Sequence, residues 1–593
     1  MFRLNEASNM APSTSVNTFM ASKVHDTRLP PEVEEGNVEY KLQLINPPPA
    51  RLEHLITQLK WRLAEGYGEA MYEIGVSDKG TLIGLTQDDL DRSVATLRKM
   101  GEALRADVSI IRERDVTSPG ETPARKVAEV LVRKCLTDDQ HFLEIRVAII
   151  GGADAGKSTL LGVLTHSEND NGRGKARLNL LRHRHEIESG RTSSISHQII
   201  GFDPHGALIN YASNNIQTWA QICETASKIV TFLDMCGHPK YQKTTISGLA
   251  GHAPDYACLI IGANTGVSDI SREHLAIAVV LKVPVFVVIT KVDIATPPQL
   301  KRTVSSFLAL LKAPGMRRVP VVIQNQDDLV VSVSSFLDSR VVPIFLTSSV
   351  TGENLSLLTN FFNYLPKPMS DYDQLLEEEV EYQVEEIYSV PDVGCVIGGK
   401  LLSGRITTHP HTSQPTYYLG PDRGSFIPVR INSIHRQRCP VNLIKAGQAA
   451  SCALTFLSDP NASDSFHEKD TVAYNITPPP SFRLRKGQVL LSTPPPPPVW
   501  EFDADLNVLH CASTVGPSCH GVIYVGAVRQ GAKIVRMENV GSLKTSESAR
   551  VRFRFAYEPE WVVVGRTVLF RGEGGLKCVG KIAGVMVENG EGR

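Results

Sequence analysis

The segment Gly151-Gly152-Ala153-Asp154-Ala155-Gly156-Lys157-Ser158-Thr159 has the spacing of a phosphate-binding loop, with Gly151, Gly156, Lys157 and Ser158 at the diagnostic positions. Glycines let successive backbone N–H groups curl round a phosphate. A helix starting near Ser158 would add its N-terminus. Lys157 is expected to reach the β- and γ-phosphates, and the Ser158 hydroxyl to ligate Mg²⁺. The loop alone serves ATP and GTP equally. Thr290-Lys291-Val292-Asp293, at the end of the apolar run VPVFVVIT, separates the two. A carboxylate at Asp293 can accept from both N1–H and the N2 amino group of guanine, and adenine presents no such donor pair. The aliphatic stem of Lys291 would lie over the base.

Between these motifs lies TFLDMCGHPKY, in which Asp234, Gly237 and His238 end another apolar run. Asp234 is expected to hold Mg²⁺ through water, and the Gly237 N–H to meet the γ-phosphate. His238 is placed to position the attacking water. Thr192, in ESGRTSSIS, is a candidate second Mg²⁺ ligand that closes over the nucleotide when a γ-phosphate is present. Ser348-Ser349-Val350 follow the run VPIF and would offer backbone and hydroxyl groups to guanine O6. Ahead of Thr192, RGKARLNLLRHRHE concentrates Arg173, Lys175, Arg177, Arg182, His183, Arg184 and His185. This Arg173–Arg184 segment is a candidate contact for RNA phosphate.

Strand ends on one side of an open sheet would bring these groups together. From Phe142 to Leu365, the apolar runs IRVAII, IVTFLD, YACLIIGA, VPVFVVIT and PIFLT alternate with amphipathic helices starting near Ser158, His238, Ser271, Pro297 and Asn354. Such alternation implies a parallel sheet covered on both faces. Ahead of it, VEYKLQLI, a helix over Arg51–Leu63, MYEIGV and LIGL around a turn at Asp78-Lys79-Gly80, a helix over Leu85–Leu104 starting at Thr86, and DVSIIRER suggest a small βαββαβ sandwich. A linker over Thr117–Arg125 leads to the strand-like VAEVLVRK. After Asp371 short strands with glycine turns read as β-barrels, with proline runs at 478–480 and 494–498 as stiff connectors. The organisation expected is a flexible arm over 1–36, an α+β domain over 37–140, a nucleotide domain over 141–370, and barrels over 371–476 and 477–593.

Lys+Arg of 62 against Asp+Glu of 63 gives a net charge of −1, so a polyanion would be met locally rather than by a general basic coat. The ten cysteines form no CxxC pair, which removes zinc-ribbon spacing and fits a reducing compartment. No stretch is long and apolar enough to span a bilayer as a helix.

The phosphate loop with Asp154, the DxxGH box at Asp234–His238 and the TKxD box at Thr290–Asp293 resemble the elongation factor Tu class of translational GTPases. GNVEYKLQLINP, LLGVLTHSENDNGRGKARLNLLRHRHEIESGRTSSIS, SREHLAIAVVLKVPVFVV, YSVPDVGCVIGGKLLSG and VRFRF are similar to the GTP-binding protein 1 and 2 family, nearly throughout the chain beyond the arm. The resemblance implies a multidomain α/β plus β fold: a P-loop GTPase domain with a parallel-rich sheet, two C-terminal β-barrels and a small N-terminal α+β domain. It implies Mg²⁺-dependent hydrolysis of GTP to GDP and phosphate by a cytoplasmic, monomeric factor of elongation or ribosome rescue. Its partners would be the ribosome and tRNA or a rescue factor. The alternative is a GTP-switched scaffold whose hydrolysis is incidental. By motif, Lys157 and Ser158 would bind phosphate and Mg²⁺, Thr192 would be the switch threonine, Asp234 the magnesium residue, and His238 the catalytic water-positioning group. Thr290, Lys291, Asp293 and Ser348 would form the guanine pocket, and Asp154 would help hold the switch or a monovalent ion. The chain departs from the pattern at Gly152-Ala153, at Cys236, at Thr290 in place of the more widespread Asn, and in ITTHPHTSQPTYYLGP, which lacks the usual Gly-Asp turn.

Overall fold

The structure, a computed structural model, describes residues 29, 31–32, 36–116, 124–135, 142–181, 184–189, 192–213, 216–313, 316–336, 340–368, 371–408, 415–457, 476–509, 514–517, 519–538, 541–545, 547–572 and 575–586. The chain divides into two compact units, Met1–Lys134 with Ala295–Leu308, and Cys135–Ile294 with Ala309–Arg593.

The first unit holds strands β1 (Val38–Lys41), β2 (Glu69–Ile74), β3 (Ala106–Asp115) and β4 (Lys126–Lys134), with helices α1 (Pro49–Glu65) and α2 (Gln87–Ala103). Helix α2 starts where Thr86 accepts from the Asp89 N–H, with Asp88 and Asp89 complementing the first turn. The sheet order is β1-β2-β4-β3, with β1 parallel to β2 and the other pairs antiparallel. The order of elements is therefore βαβαββ and not the expected βαββαβ. LIGL contributes only an isolated bridge, Val76 to Leu82. VAEVLVRK, left out of the expected order, is β4, inserted between β2 and β3. Its unbroken buried run from Val127 to Arg133 fits the central place it takes in the sheet. Most of the arm lies outside the described residues, but its end is tied down. Leu29 N–H donates to Gly80 O at 2.7 Å, Glu32 N–H to Asp78 O at 2.9 Å, and Arg62 Nη2 to Glu32 Oε1 at 3.0 Å.

In the second unit, strands β5 (Leu143–Gly151), β6 (Ser196–Phe202), β7 (Leu208–Ile209), β8 (Lys228–Asp234), β9 (Tyr256–Gly262), β10 (Val285–Thr290), β11 (Val319–Ile323) and β12 (Val341–Leu346) form one sheet. Its order is β11-β12-β10-β9-β5-β8-β6-β7. Strands β5 and β8 to β12 run parallel, while β6 and β7, unforeseen in the sequence, are antiparallel additions. Strands β8, β9 and β10 are buried at every residue, as expected for parallel strands covered on both faces. The helices are α3 (Lys157–His166), α4 (Arg184–Ser189), α5 (Trp219–Thr225), α6 (Gln242–Gly251), α7 (Asp269–Val280), α8 (Pro297–Lys312, of which the residues up to Leu308 fall in the first unit), α9 (Gln326–Phe336) and α10 (Leu355–Tyr364). At His238 a 3₁₀ turn, Pro239–Tyr241, comes first, and α6 starts only at Gln242.

Strands β13 (Glu381–Val390), β14 (Gly394–Ser403), β16 (Tyr417–Asp422), β17 (Ser425–Arg436), β20 (Ala449–Phe456) and β21 (Val489–Leu491) pair into a ring closed between β16 and β17. Strand β18 (Cys439–Val441) extends β17, and β15 (Arg405–Thr407) pairs with β19 (Leu443–Lys445). Because β21 lies between β13 and β16, the first barrel runs past the 476/477 boundary read from the sequence. The second barrel is closed in the order β22 (Glu501–Val508), β25 (Ser548–Phe555), β24 (Val528–Met537), β23 (His520–Val525), β26 (Thr567–Gly572), β27 (Gly575–Met586).

The first barrel is locked to the nucleotide domain by buried charge. Glu385 on β13 accepts from Arg146 Nη2 on β5 at 3.0 Å and meets His252 Nδ1, just past α6, at 2.5 Å. Gln437 Nε2 donates to Glu144 Oε1 at 2.8 Å. The second barrel touches α6 through Arg571 Nη2, which donates to Gln242 Oε1 at 2.6 Å.

Candidate functional site

The expected residues meet where β5, β8 and β10 end. Strand β5 runs into the phosphate loop, and α3 begins at Lys157 behind Gly156. One pocket is lined by Ala153, Asp154, Gly156, Lys157, Ser158, Thr159, Thr192, Gly237, His238 and Arg177. All but Arg177 were expected at the nucleotide. Lys157 Nζ donates to Gly152 O at 2.8 Å and to Gly151 O at 3.3 Å, so it lies across the loop. Burial pulls its ammonium below the ordinary lysine value, against the opposing pull of Asp234.

Gly237 stands against this lysine. A Cβ there would lie 2.1 Å from Lys157 Nζ and 2.6 Å from Gly152 O, so no larger residue fits. The DxxGH turn therefore approaches the phosphate loop backbone to backbone.

Ser158 Oγ donates to Asp234 Oδ2 at 2.7 Å and lies 3.0 Å from Thr192 Oγ1. Burial raises the Asp234 carboxyl to about 6, although Lys157 and the Ser158 hydroxyl favour its ionised form. Its second oxygen, Oδ1, is buried without a hydrogen-bond partner. Two hydroxyls and a partly unsatisfied buried carboxylate form an all-oxygen donor set, which suits a small hard cation such as Mg²⁺.

His238 Nδ1 accepts from the Lys240 N–H at 3.2 Å. A neutral ring so bonded carries its proton on Nε2.

On the base side, Thr290 Oγ1 donates to Ala155 O at 2.6 Å, so the residue standing where Asn is more widespread ties β10 to the phosphate loop. Lys291, at φ 62°, turns its Nζ to Asp154 O at 2.7 Å. Val292 N–H donates to Thr347 O at 3.4 Å, which joins the TKxD turn to the loop of Ser348 to Val350. The buried Ser348 hydroxyl accepts from Val350 N–H at 3.2 Å and Thr351 N–H at 3.1 Å, so it shapes that loop. Asp293 is exposed.

Several supporting residues carry no motif. His274 on α7, wholly buried, accepts from the Gly151 N–H at 3.2 Å, and Ser271 Oγ from the Gly152 N–H at 3.3 Å. Burial lowers the His274 pKa to about 3, so it acts as a neutral acceptor. Gly152 has its reason here too: a Cβ would lie 2.7 Å from Ser268 Oγ. Cys236 is buried and its thiol is pushed up to about 12 by burial and then by Asp234. Glu186 on α4 accepts from Ser193 N–H at 2.7 Å and Ser194 N–H at 3.3 Å, holding the segment that carries Thr192.

The basic run divides. Arg173, Lys175, Arg184 and His185 are exposed, Arg177 turns into the pocket, and Arg182 and His183 lie outside the described residues.

Residues 144–367 match the family described as "Elongation factor Tu GTP binding domain". The chain is 45% identical over 563 residues to GTP-binding protein 2 of Mus musculus, a match spanning 94% of this chain and 88% of that one. It is 42% identical over 550 residues to GTP-binding protein 1 of Xenopus laevis, spanning 92% of this chain and 78% of that one. Among solved structures, translation elongation factor SelB from Methanococcus maripaludis in complex with the GTP analogue GppNHp superposes with a TM-score of 0.50 at 18% identity, covering 76% of this chain and 81% of that one. At that identity the likeness is one of fold.

Proposed function

Because this chain belongs to the GTP-binding protein 1 and 2 family and carries the GTP-binding domain of elongation factor Tu, we propose that it is a ribosome-stimulated GTPase acting in elongation or ribosome rescue in the cytoplasm. It would work as a monomer that presents tRNA or a rescue factor on its barrels. Arg173, Lys175 and Arg184 lie exposed as candidate contacts to RNA phosphate. Among the described residues no helix is long and apolar enough to cross a membrane.

One observation carries the reading: Lys157, Ser158, Thr192, Gly237 and His238, from three separate stretches of chain, line one pocket at the ends of parallel strands. In this reading the loop N–H groups and Lys157 cradle the β- and γ-phosphates. Asp293 accepts from the guanine edge, with Lys291 over the base. The Gly237 N–H meets the γ-phosphate. His238 Nε2–H donates to a water oxygen and aims its lone pair at the γ-phosphorus. Ser158, Thr192 and Asp234 would hold Mg²⁺, which when bound supplies charge neutralisation between the phosphates.

Single-turnover GTP hydrolysis, measured with and without ribosomes, tests this. The unaltered chain is expected to be slow alone and strongly accelerated by ribosomes. His238→Ala should bind GTP normally and lose the acceleration. Stimulated turnover that survives His238→Ala would refute the assignment. A second reading, a GTP-switched scaffold, draws on the bond between Arg571 and Gln242, which ties the helix after His238 to the last barrel. It requires partner binding to follow nucleotide state while His238→Ala changes little.

A further inference from the structure

We propose that Arg177 supplies, from within the same chain, a guanidinium that stabilises charge on the terminal phosphate during hydrolysis. The proposal rests on the GTPase reading of the pocket. Arg177 lines that pocket together with Lys157, Thr192, Gly237 and His238. It sits on a short 3₁₀ turn, Ala176–Asn179, well ahead of the switch threonine.

The turn is held by groups of the chain itself. The buried carboxylate of Asp170 accepts from the N–H groups of Gly172, Gly174 and Ala176, each at 2.9 Å. The Asp170 N–H in turn donates to Ser349 O at 2.8 Å, so the loop hangs from the segment that also borders the base. Gly174, at φ +82°, leaves the space the guanidinium occupies. A Cβ there would lie 2.7 Å from Arg177 Nε and 3.0 Å from its Cζ. Arg173 and Lys175 on the same loop face solvent, so the inward turn belongs to Arg177 and is not general to the run. Arg177 and Lys157 line the same pocket, so a polyanion entering it is attracted by both charges.

In the reaction the water oxygen forms a bond to the γ-phosphorus. The bond from that phosphorus to the β–γ bridging oxygen breaks, and its electron pair leaves with GDP. The protons of the water pass to the released phosphate and solvent. The loose transition state spreads charge over the bridging and terminal oxygens, where a planar guanidinium with several donors stabilises it more than it stabilises bound GTP.

The test uses the full chain without ribosomes, comparing it with Arg177→Ala and Arg177→Lys. Arg177→Ala should slow single-turnover hydrolysis by about 100-fold or more, with affinity for GDP and GppNHp within about threefold of the unaltered chain. Arg177→Lys should recover only a small part. Added guanidinium should partly restore Arg177→Ala, which a merely structural role would not allow. The unaltered chain should also form a complex with GDP and aluminium fluoride that Arg177→Ala cannot form. Hydrolysis within about twofold of the unaltered rate would overturn the proposal. So would a loss of nucleotide binding together with thermal stability that guanidinium does not repair. If the unaltered chain binds GTP but never hydrolyses it, the GTPase reading itself fails, whereas hydrolysis that Arg177→Ala leaves intact fails this proposal alone.

Discussion

Ser158 and Thr192 stand 34 positions apart in the chain, and their hydroxyl oxygens lie 3.0 Å from one another, with Asp234 completing the group through Ser158. The segment bearing Thr192 is therefore folded over the start of α3. Its anchor is Glu186, whose carboxylate takes the N–H and the hydroxyl of Ser193 at 2.7 and 2.6 Å. A segment held through such polar contacts, with His185 Nε2 a further 2.8 Å from Ser193 Oγ, can be released by a change at the phosphate end.

Thr192→Ala removes one hydroxyl from the donor set without disturbing Lys157. A lost contact of this kind is worth about 1–2 kcal/mol, or roughly tenfold in affinity. The affinity for GppNHp should fall by that factor in Mg²⁺ while the affinity for GDP holds. Equal losses for both nucleotides, measured by fluorescent-nucleotide titration, would exclude a γ-phosphate-dependent role.

Gly237→Ala places a methyl group where Lys157 Nζ and Gly152 O already stand, at 2.1 and 2.6 Å. Either the DxxGH turn or the lysine has to move. Overpacking of this order costs about 1–3 kcal/mol. GppNHp binding should weaken at least tenfold and the melting temperature drop slightly, readable by calorimetry on the same sample.

Asp293→Asn sets an amide donor against the guanine donors. Loss of charge-assisted hydrogen bonds predicts GTP weakened by about 100-fold. Xanthosine triphosphate, with a carbonyl where guanine has its amino group, should bind better than it does to the unaltered chain. A competition assay showing GTP affinity unchanged would remove Asp293 from the base pocket.

The junction between the nucleotide domain and the first barrel should be acid-sensitive. Burial alone would push Glu385 up, but Arg146 and His252 outweigh it and hold the carboxyl well below its ordinary value of 4.5. A carboxyl depressed in the folded chain contributes stability in full above its unfolded value and loses it as pH falls below that value. The melting temperature should thus hold from neutral pH to about 4.5 and decline more steeply below it. Glu385→Gln, which leaves Arg146 buried without its counter-charge, should lower stability at neutral pH by about 3 kcal/mol and flatten the acid decline. Parallel melting curves for both chains across that range would show the pair to be dispensable.

The chemistry was legible in the amino-acid order because it is written in short runs. Gly151 to Thr159, Asp234 to His238, Thr290 to Asp293 and Ser348 to Val350 each lie at a strand end, where local backbone geometry alone sets what the residues can do. The parallel strands were legible from their long apolar runs, and β8, β9 and β10 are buried at every residue. What only the tertiary structure decided involves partners far apart in the chain. β4 takes the centre of the first sheet, between β2 and β3, and nothing within VAEVLVRK states that order. β6 escaped notice because His197 and Gln198 interrupt its apolar pattern, and it is paired only by β8 and β7. Arg177 is one cation among several in a basic run until Asp170 and Gly174 turn it inward. His274 and Glu385 are ordinary polar residues until folding buries them against Gly151 and Arg146. A motif encodes which atoms can meet a ligand. Which distant side chains hold those atoms in place depends on contacts that form only when the sheet and barrels close, where burial strengthens each charge and hydrogen bond beyond what its sequence neighbours reveal.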